Sequence, residues 1–248
     1  MFFRQLYDAE SSTYTYLLAD EETGDAVLID PVIEQVERDI ALVRELGWTL
    51  RFALDTHVHA DHVTGAATLR DQLGCKTVLS ARAGVGCADV LVTEGDVIRF
   101  GRYGLEVLET PGHTNGCLSY VTLDRAMVFT GDALLIRGCG RTDFQSGDAR
   151  QLFHSIRDKL FALPPTTLVY PGHDYHGRTA SSIGEERRLN PRLGAGMTEE
   201  AFVALMRDLR LDYPKKIDVA LPRNLRCGTA VQAADERDEA PATPAVRR

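Results

Sequence analysis

A dense cluster of metal-binding side chains constrains this chain more than any other feature. Three of its seven histidines and one aspartate fall within the six residues from His57 to His62. Imidazole and carboxylate groups suit borderline first-row metals. A short buried strand is predicted over residues 51–55 and a helix from Val63 to Leu73. The cluster therefore follows the carboxyl end of a strand, where α/β sheets place their ligands. The alternative, a capping Asp61 beside surface histidines, does not explain three histidines packed so tightly.

Three further predicted strands each end at one possible ligand. His113 follows Thr110-Pro-Gly, Asp132 follows Thr130-Gly, and His173 follows Tyr170-Pro-Gly. Each of these residues alone is more simply a polar side chain in a turn. Together they are predicted to meet the histidine cluster at one edge of the sheets, which indicates a metal centre. His154 lies in the middle of a predicted helix and is interpreted as structural or solvated.

The order of the predicted elements indicates the fold class. Two strand-rich halves are each followed by helices, and the helical pattern shows apolar residues at three- and four-residue steps. This order predicts an α/β protein in which two sheets pack face to face with helices outside, a four-layer αββα sandwich. The predicted strands cover residues 2–7, 13–18, 26–29, 51–55, 76–80, 97–100, 105–110, 118–123, 126–130 and 167–170, and the predicted helices begin near residues 33, 63, 148, 182 and 198.

Length and composition limit the domain organisation. A chain of 248 residues can form one large domain or two small ones. We predict a single catalytic domain over residues 1–228. The remaining residues, 229–248, are rich in Ala, Pro, Asp, Glu and Arg without periodicity, which predicts a disordered tail.

Charge, hydropathy and cysteine usage exclude several classes of protein. The net charge of −8 argues against nucleic-acid binding, because no basic surplus exists to neutralise phosphates. No apolar run approaches the ~20 residues that cross a membrane. No signal peptide opens the chain, so we predict a cytoplasmic protein. The five cysteines are odd in number and widely spaced, without a C-x-x-C pair, which is typical of neither a disulfide framework nor a zinc ribbon and fits a reducing compartment.

The same residues carry a resemblance to a known family. The motif His57-x-His59-x-Asp61-His62, with the three downstream ligands, resembles the ligand set of the metallo-β-lactamase superfamily, whose fold is the αββα sandwich. Within it, the chain is similar to the persulfide dioxygenases from about Phe3 to Gly228. The most specific similarity is the segment TGDALLIRGCGRTDFQ at residues 130–145, supported by PGHDYHG at 171–177 and NLRCG at 224–228.

The resemblance implies a metal and a reaction. One Fe(II) ion per chain would be held by His57, His113 and Asp132, the facial arrangement of two histidines and one carboxylate that leaves coordination positions open. The implied reaction converts glutathione persulfide, O₂ and water to sulfite and glutathione. Open positions are required because both O₂ and the persulfide sulfur must reach the metal.

The remaining residues of the motif admit two interpretations. His59, Asp61, His62 and His173 bind zinc in the dinuclear hydrolases of the superfamily. In a persulfide dioxygenase they are catalytic groups that orient ligands, water or substrate around the iron. The chain retains every ligand that two metals need, so the motif alone does not separate the two interpretations.

The resemblance also suggests residues for substrate binding. Glutathione carries two carboxylates, so its pocket needs cations and hydrogen-bond donors. Arg141, in a Gly-Cys-Gly-Arg turn, is predicted to clamp the substrate or to brace the loop. Tyr175 and Arg226 are further candidates, with packing or an ion pair as the alternative. Members of the family are often dimers, so a homodimer is possible.

Two other functions are consistent with the motif. A glyoxalase II-type hydroxyacylglutathione hydrolase would use two metals and a bridging hydroxide. Against it, the segment after His173 is shorter than the helical substrate domain of such enzymes. A non-catalytic scaffold with a vestigial site is the other alternative, although a scaffold has no physical need for a full set of ligands.

Overall fold

Two six-stranded β-sheets form the centre of the molecule in a computed structural model that describes residues 1–229. The first sheet contains β1 (Phe2–Asp8), β2 (Thr13–Asp20), β3 (Asp25–Ile29), β4 (Thr49–Leu54), β5 (Lys76–Ser80) and β6 (Val90–Val92), in chain order. Its first three strands are antiparallel, whereas β3 to β6 run parallel. Of the predicted tail, only Thr229 lies within the described residues.

The second sheet follows in the chain and is mostly antiparallel. It contains β7 (Val97–Phe100), β8 (Tyr103–Glu109), β9 (Leu118–Thr122), β10 (Met127–Gly131), β11 (Leu168–Pro171) and β12 (Ser181–Ser182). These strands are again ordered as in the chain, and β10 and β11 are the parallel pair. The parallel pairs in both sheets bring the carboxyl ends of neighbouring strands to one edge, where the predicted ligands lie.

Residues 1–229 contain six α-helices. They are α1 (Val36–Glu45), α2 (Ala66–Leu73), α3 (Ala149–His154), α4 (Ile183–Leu189), α5 (Glu199–Asp208) and α6 (Ile217–Asn224). A π-helical turn over Ser155–Leu160 extends α3. Side chains of Asp148 and Thr198 accept backbone N–H bonds at the starts of α3 and α5, which satisfies donors that a helix start leaves free. None of the helices in residues 1–229 is both long and apolar enough to span a membrane.

The core is divided into layers by the sheets. Between the sheets, rings from both meet: Phe3 and Tyr16 of the first sheet contact Phe129 and Tyr170 of the second. A second apolar cluster joins α1 and α2 to the outer face of the first sheet. A third joins α3 and α5 to the outer face of the second sheet. The predicted four-layer αββα sandwich is confirmed.

Tertiary contacts shift several predicted boundaries. The helix predicted from Val63 begins instead at Ala66, because residues 63–65 bond to the segment before α1: Val63 accepts from the Ile33 N–H and Gly65 donates to Pro31. Gly65 lies against Val36, where a Cβ would be 2.7 Å from a methyl group. Strands β6 and β12 and helix α6 were not predicted. They are short, and α6 contains Pro222, which breaks the usual helical pattern.

One disulfide is present, although the spacing of the cysteines predicts no disulfide framework. Cys87 and Cys227 form a disulfide across 140 residues of sequence. The pairing arises because the segment around Cys227 packs beside the loop before β6, a contact that cysteine spacing cannot indicate. Cys75, Cys117 and Cys139 are free and buried.

Candidate metal centre

The three residues predicted to bind metal lie together at the shared edge of the two sheets. His57 follows β4, His113 lies on the loop between β8 and β9, and Asp132 follows β10. The ligand atoms of these three residues all lie within 4.8 Å of one another. They therefore satisfy the spacing of a single-ion site built from two imidazoles and one carboxylate.

Local hydrogen bonds orient both imidazole ligands. Nδ1 of His57 is 3.0 Å from the hydroxyl of Thr56. Nδ1 of His113 lies 2.7 Å from the carbonyl oxygen of Arg141, to which it donates. In each ring the other nitrogen is left for an ion, and Nε2 of His113 lies 3.6 Å from Asp132 Oδ2. Partners of this kind fix the tautomer and direction of a metal-binding histidine.

A glycine permits the close approach of the loop that carries Arg141. The N–H of Gly140 donates to the carbonyl of Asp132 at 2.7 Å. A Cβ at Gly140 would be 2.4 Å from that oxygen and 2.8 Å from Nδ1 of His113. Gly138, in the same turn, has room for a side chain and no left-handed backbone. Of the two glycines in this turn, only Gly140 lies where a side chain would not fit.

The other predicted catalytic residues surround the same edge. We call residues 57–64 the histidine loop. On it, Asp61 Oδ2 lies 2.9 Å from Nδ1 of His62. Nε2 of His173 lies 3.5 Å from Asp61 Oδ2 and 3.6 Å from Asp132 Oδ1. Nδ1 of His173 is 3.2 Å from the Ser12 carbonyl. His59, Asp61 and His62 also satisfy the spacing of an ion site, so the arrangement retains the possibility of a second ion.

Asp30 is a site residue that the sequence reasoning missed. It directly follows β3 and precedes Pro31. Its carboxylate accepts from the N–H of Thr56 at 2.7 Å and from the Thr56 hydroxyl at 2.9 Å, and its Oδ1 lies 3.1 Å from Nε2 of His59. The sequence offers one signal, because Asp30 comes just after strand β3 as Asp132 comes just after β10. In the structure Asp30 has a left-handed φ of 51°.

Burial and neighbouring charges set the protonation of the cluster. Burial disfavours the charged ring of His59, but the Asp30 and Asp55 carboxylates outweigh it and raise its pKa to about 9. Burial, opposed by His59, raises the pKa of Asp55 to about 7. Burial and neighbouring histidines hold the pKa of His57 well below its usual range, and burial also lowers the pKa of His62. Neutral imidazoles are the form that binds metal.

Unsatisfied polar atoms support ion binding. In residues 1–229, His59 Nδ1, His62 Nε2 and Asp132 Oδ1 are buried without a hydrogen-bond partner. Buried polar atoms are almost always paired, so three unpaired atoms in one cluster indicate that an ion or its bound water completes them. The donor set of this chain therefore fits a metal.

The three predicted substrate-binding residues differ in their contacts and exposure. The guanidinium of Arg141 binds both carboxylate oxygens of Asp143, at 2.6 and 2.8 Å, and the Asp212 carbonyl at 2.8 Å, so it braces its loop. The ring of Tyr175 is exposed and stacks on His173 with ring centroids 6.0 Å apart. Arg226 is exposed, beside Cys227. Their role in substrate binding stays a prediction.

A cavity borders the ligand residues on one side. Its volume is about 320 Å³, and it is lined by residues next to the ligands in sequence, Val58 and Thr114, together with Arg82, Asn115, Gln145 and Leu221 among others. Gln145 donates to the Val58 carbonyl at 2.7 Å and closes one wall. Arg82 supplies a cation, which is ion-paired at 3.0 Å with Glu109 and was not predicted as a site residue.

The fold and the ligand set define the class of protein. A sequence profile described as the Metallo-beta-lactamase superfamily matches residues 9–173. The chain belongs to this superfamily, as its αββα sandwich and edge-bound histidine motif indicate.

Individual relatives narrow the assignment. The chain is 54% identical over 226 residues to "Persulfide dioxygenase ETHE1, mitochondrial" of Mus musculus, covering 91% of this chain and 88% of that protein. The crystal structure of ETHE1 from Myxococcus xanthus is 55% identical and superposes with a TM-score of 0.89, covering 92% of this chain and 100% of that one. A "Hydroxyacylglutathione hydrolase" of Rhodospirillum rubrum is 38% identical and covers 73% of this chain and 69% of that protein. Within the superfamily, the chain belongs to the persulfide dioxygenase family, which confirms the resemblance.

Proposed function

We propose that this protein is a persulfide dioxygenase that holds one Fe(II) ion with His57, His113 and Asp132. It converts glutathione persulfide, O₂ and water to sulfite and glutathione. The observation that carries the proposal is the grouping of two imidazoles and one carboxylate within 4.8 Å, in a chain 54% identical to a named persulfide dioxygenase. This ligand set is typical of non-haem Fe(II) oxygenases because it leaves positions open for both reactants.

The protein contributes orientation and electrostatics to the reaction. When bound, Fe(II) supplies the redox chemistry between O₂ and the persulfide sulfur. The Thr56 hydroxyl fixes the orientation of the His57 ring, and the Arg141 carbonyl fixes that of the His113 ring. Asp30 in turn holds Thr56 and His59, so one buried carboxylate supports the base of the histidine loop. Fixed ligands keep the open positions of the ion facing the reactants.

His59, Asp61, His62 and His173 act next to the ion rather than on it in this proposal. The Asp61 carboxylate pairs with both His62 and His173, and the His173 ring also lies beside Asp132. Burial opposes protonation of His173, but Asp132 and Asp61 outweigh it and raise its pKa. A group of this kind can hold water or stabilise an anionic sulfur beside the metal.

The cavity next to Val58 is proposed to bind the glutathione part of the substrate. It opens beside both imidazole ligands, and Arg82 gives it positive charge for a carboxylate. Arg141 shapes the floor of the site through its carbonyl bond to His113. Tyr175 and Arg226 are proposed to contact the substrate at the rim.

The remaining proposals concern the chain as a whole. We propose that residues 1–228 form one catalytic domain, that the protein acts in the cytoplasm, and that two copies form a homodimer. The superfamily profile, which matches residues 9–173, lies within the proposed domain. The acidic balance of −8 supports the further proposal that no nucleic acid is bound.

Oxygen consumption tests the function directly. Protein loaded anaerobically with Fe(II) should consume O₂ when glutathione persulfide is added and release sulfite in proportion. Protein loaded with Zn(II) should consume none. Hydrolysis of S-lactoylglutathione by the Zn(II) form, without O₂ uptake by the Fe(II) form, would instead establish a hydroxyacylglutathione hydrolase. That second function is favoured by one observation, the intact set of His59, Asp61 and His62. A protein that does neither after loading would be a scaffold.

A further inference from the structure

The end of the described chain covers the histidine loop from outside. We call residues 209–229 the C-terminal segment. It leaves α5, crosses without regular structure to α6, and ends beside the loop before β6. Leu221 of α6 and Cys227 pack with Val58, Val85 and Ala67 in an apolar cluster of their own. The cluster is small, so the segment depends on polar contacts and on one covalent bond for its position.

Asn224 makes the polar contacts between this segment and the histidine loop. Its Oδ1 accepts from the N–H of Thr64 at 2.9 Å. Its Nδ2 donates to the carbonyls of His59 and His62, both at 2.8 Å. The side chain is buried, and its amide forms a bond at both ends. A single side chain from 160 residues away thus joins three backbone groups of the loop that carries His59, Asp61 and His62.

The disulfide lies three residues beyond Asn224. Cys227 is buried, whereas Cys87 is only half-buried and lies on the loop before β6, where a small thiol can reach it. Gly228, which follows Cys227, packs so closely on the histidine loop that a Cβ would be 2.2 Å from the Thr64 carbonyl. The crosslink therefore holds Asn224 and Gly228 against the loop at the same place.

The other cysteines do not share this accessibility. Cys75, Cys117 and Cys139 are buried, and burial raises their thiol pKa to about 11, about 12 and about 11. Thiols of high pKa and low exposure react slowly in disulfide exchange. Cys87 and Cys227 form the pair that exchange can address among residues 1–229.

Without the crosslink, the C-terminal segment depends on noncovalent contacts alone, which are the Asn224 bonds, the ion pairs of Lys216 with Glu10 and Glu34, and the Arg141 bond to the Asp212 carbonyl. Helix α6 has eight residues and contains Pro222, and a helix of that length is marginal without tertiary support. In the cytoplasm proposed above, which is a reducing compartment, a disulfide is typically redox-sensing rather than structural.

We infer that Asn224 is a positioning residue for the histidine loop, and that the Cys87–Cys227 pair is a thiol–disulfide switch that controls how firmly Asn224 holds it. In the closed form the segment is fixed and the loop is ordered. In the dithiol form α6 separates more often, and His59 and His62 lose their backbone bonds. The switch acts on the order of the loop and does not depend on which reaction the metal performs.

Opening and closing follow ordinary thiol–disulfide exchange with the glutathione couple. A glutathione thiolate attacks Cys87, the protein S–S bond breaks, and Cys227 leaves as a thiolate that takes up a proton. A second glutathione thiolate attacks the mixed disulfide at the glutathione sulfur and releases Cys87 as the second thiol and glutathione disulfide as product. Two glutathione thiols are oxidised and one protein disulfide is reduced; closure is the reverse.

The test compares the full-length wild-type protein in buffers poised with glutathione or glutathione disulfide. Alkylation and mass spectrometry report the state of Cys87 and Cys227. Amide hydrogen exchange reports residues 57–64 and 217–228. Release of Fe(II) or Zn(II) to a chelator gives a third readout. We expect amide hydrogen exchange and metal release to be at least about fivefold faster in the dithiol form than in the disulfide form, which is the effect of one lost hydrogen bond.

Variants separate the switch from general instability. Cys87→Ala should give the fast rates in both buffers, whereas Cys75→Ala, the same change at a cysteine outside the pair, should keep the wild-type difference. Asn224→Asp retains the acceptor for the Thr64 N–H but loses the N–H groups that donate to His59 and His62. Its amide exchange and metal release should therefore be fast in both buffers. Free thiols at Cys87 and Cys227 in every buffer, or equal rates in the two forms, would overturn the switch. Wild-type rates in Asn224→Asp would overturn the positioning role.

Discussion

At the scale of single residues, the site depends on groups that the chain places far apart in sequence. Sequence reasoning identified all seven motif residues because each ends a strand or lies in the His57–His62 cluster. It did not find Asp30, since a carboxylate before a proline is usually only a turn residue. It did not find Arg82 or Asn224 either. Arg82 contacts Glu109, 27 residues away, and Asn224 contacts Thr64, 160 residues away. No local sequence pattern encodes contacts of this range.

The two classes of motif residue should behave differently when truncated. Asp132→Ala removes one of three ligands, so we expect loss of stoichiometric Fe(II) binding and of O₂ consumption. His173→Ala should leave about one Fe(II) per chain and lower turnover by about 10²-fold, the scale of losing one positioned group. Elemental analysis and oxygen uptake measure both. Full activity in Asp132→Ala would remove it from the ligand set, and loss of half the bound metal in His173→Ala would reveal a second ion.

A buried carboxylate on α1 should make stability depend on pH. Burial, opposed by Arg38, raises the pKa of Asp39 to about 6. The folded state therefore binds this proton more tightly than the unfolded state, so its stabilisation is present below about pH 4 and is lost as pH rises through 6. We expect the fall in the unfolding free energy between pH 4.5 and 7.5 to be about 2 kcal/mol smaller in Asp39→Asn.

Urea titrations in the presence of a chelator measure this difference without the metal centre. Asp71→Asn is the matched control, since the Asp71 side chain is 69% exposed. A control that reduces the pH dependence as much as Asp39→Asn would show that burial is not the cause.

At the scale of elements, the strands were predicted better than the connections. Strands β5 and β7 have the predicted bounds, because alternating or fully apolar runs with turn residues on both sides define them locally. Helix α2 begins three residues late, because Gly65 is held against Val36. Helix α6 was missed, since its position is set by the disulfide and Asn224 rather than by its own pattern.

The turn at residues 138–140 offers a matched test of how a connection positions a ligand. Gly140→Ala would place a methyl group 2.4 Å from the Asp132 carbonyl and 2.8 Å from the His113 ring. Because both neighbours belong to the metal centre, we expect metal affinity to fall by about tenfold or more, a cost of at least ~1.4 kcal/mol. Gly138→Ala meets only a Leu135 methylene at 3.8 Å and should bind metal as the wild type does. Metal titrations of the two variants make the comparison; equal affinities would contradict the close-approach argument.

At the scale of the whole molecule, the two sheets share one metal centre. The histidine loop belongs to the first sheet, whereas His113, Asp132 and His173 belong to the second. The layered fold was predictable because the order of strands and helices follows from local patterns. The pairing of Cys87 with Cys227 was not, because it depends on how the chain end returns to the first sheet.

Metal removal should therefore lower the stability of the whole fold. An ion at about 10³ times its dissociation constant stabilises the native state by about 4 kcal/mol. For a domain of this size each kcal/mol corresponds to about 2–4 °C, so the metal-free protein should melt about 10 °C lower. Anaerobic thermal scans with and without chelator measure the shift. Asp132→Ala should show no shift in melting temperature. If the wild-type protein also showed none, metal binding would not stabilise the fold.

The aromatic layer between the sheets has a consequence for how such a centre can be tuned. Phe3, Tyr16, Phe129 and Tyr170 set the spacing at which one sheet rests on the other. Any sliding of the sheets alters every ligand distance that crosses from one sheet to the other. Substitutions in this aromatic layer thus change the distances between the metal ligands. Selection can act on them without a change in any residue that touches the ion.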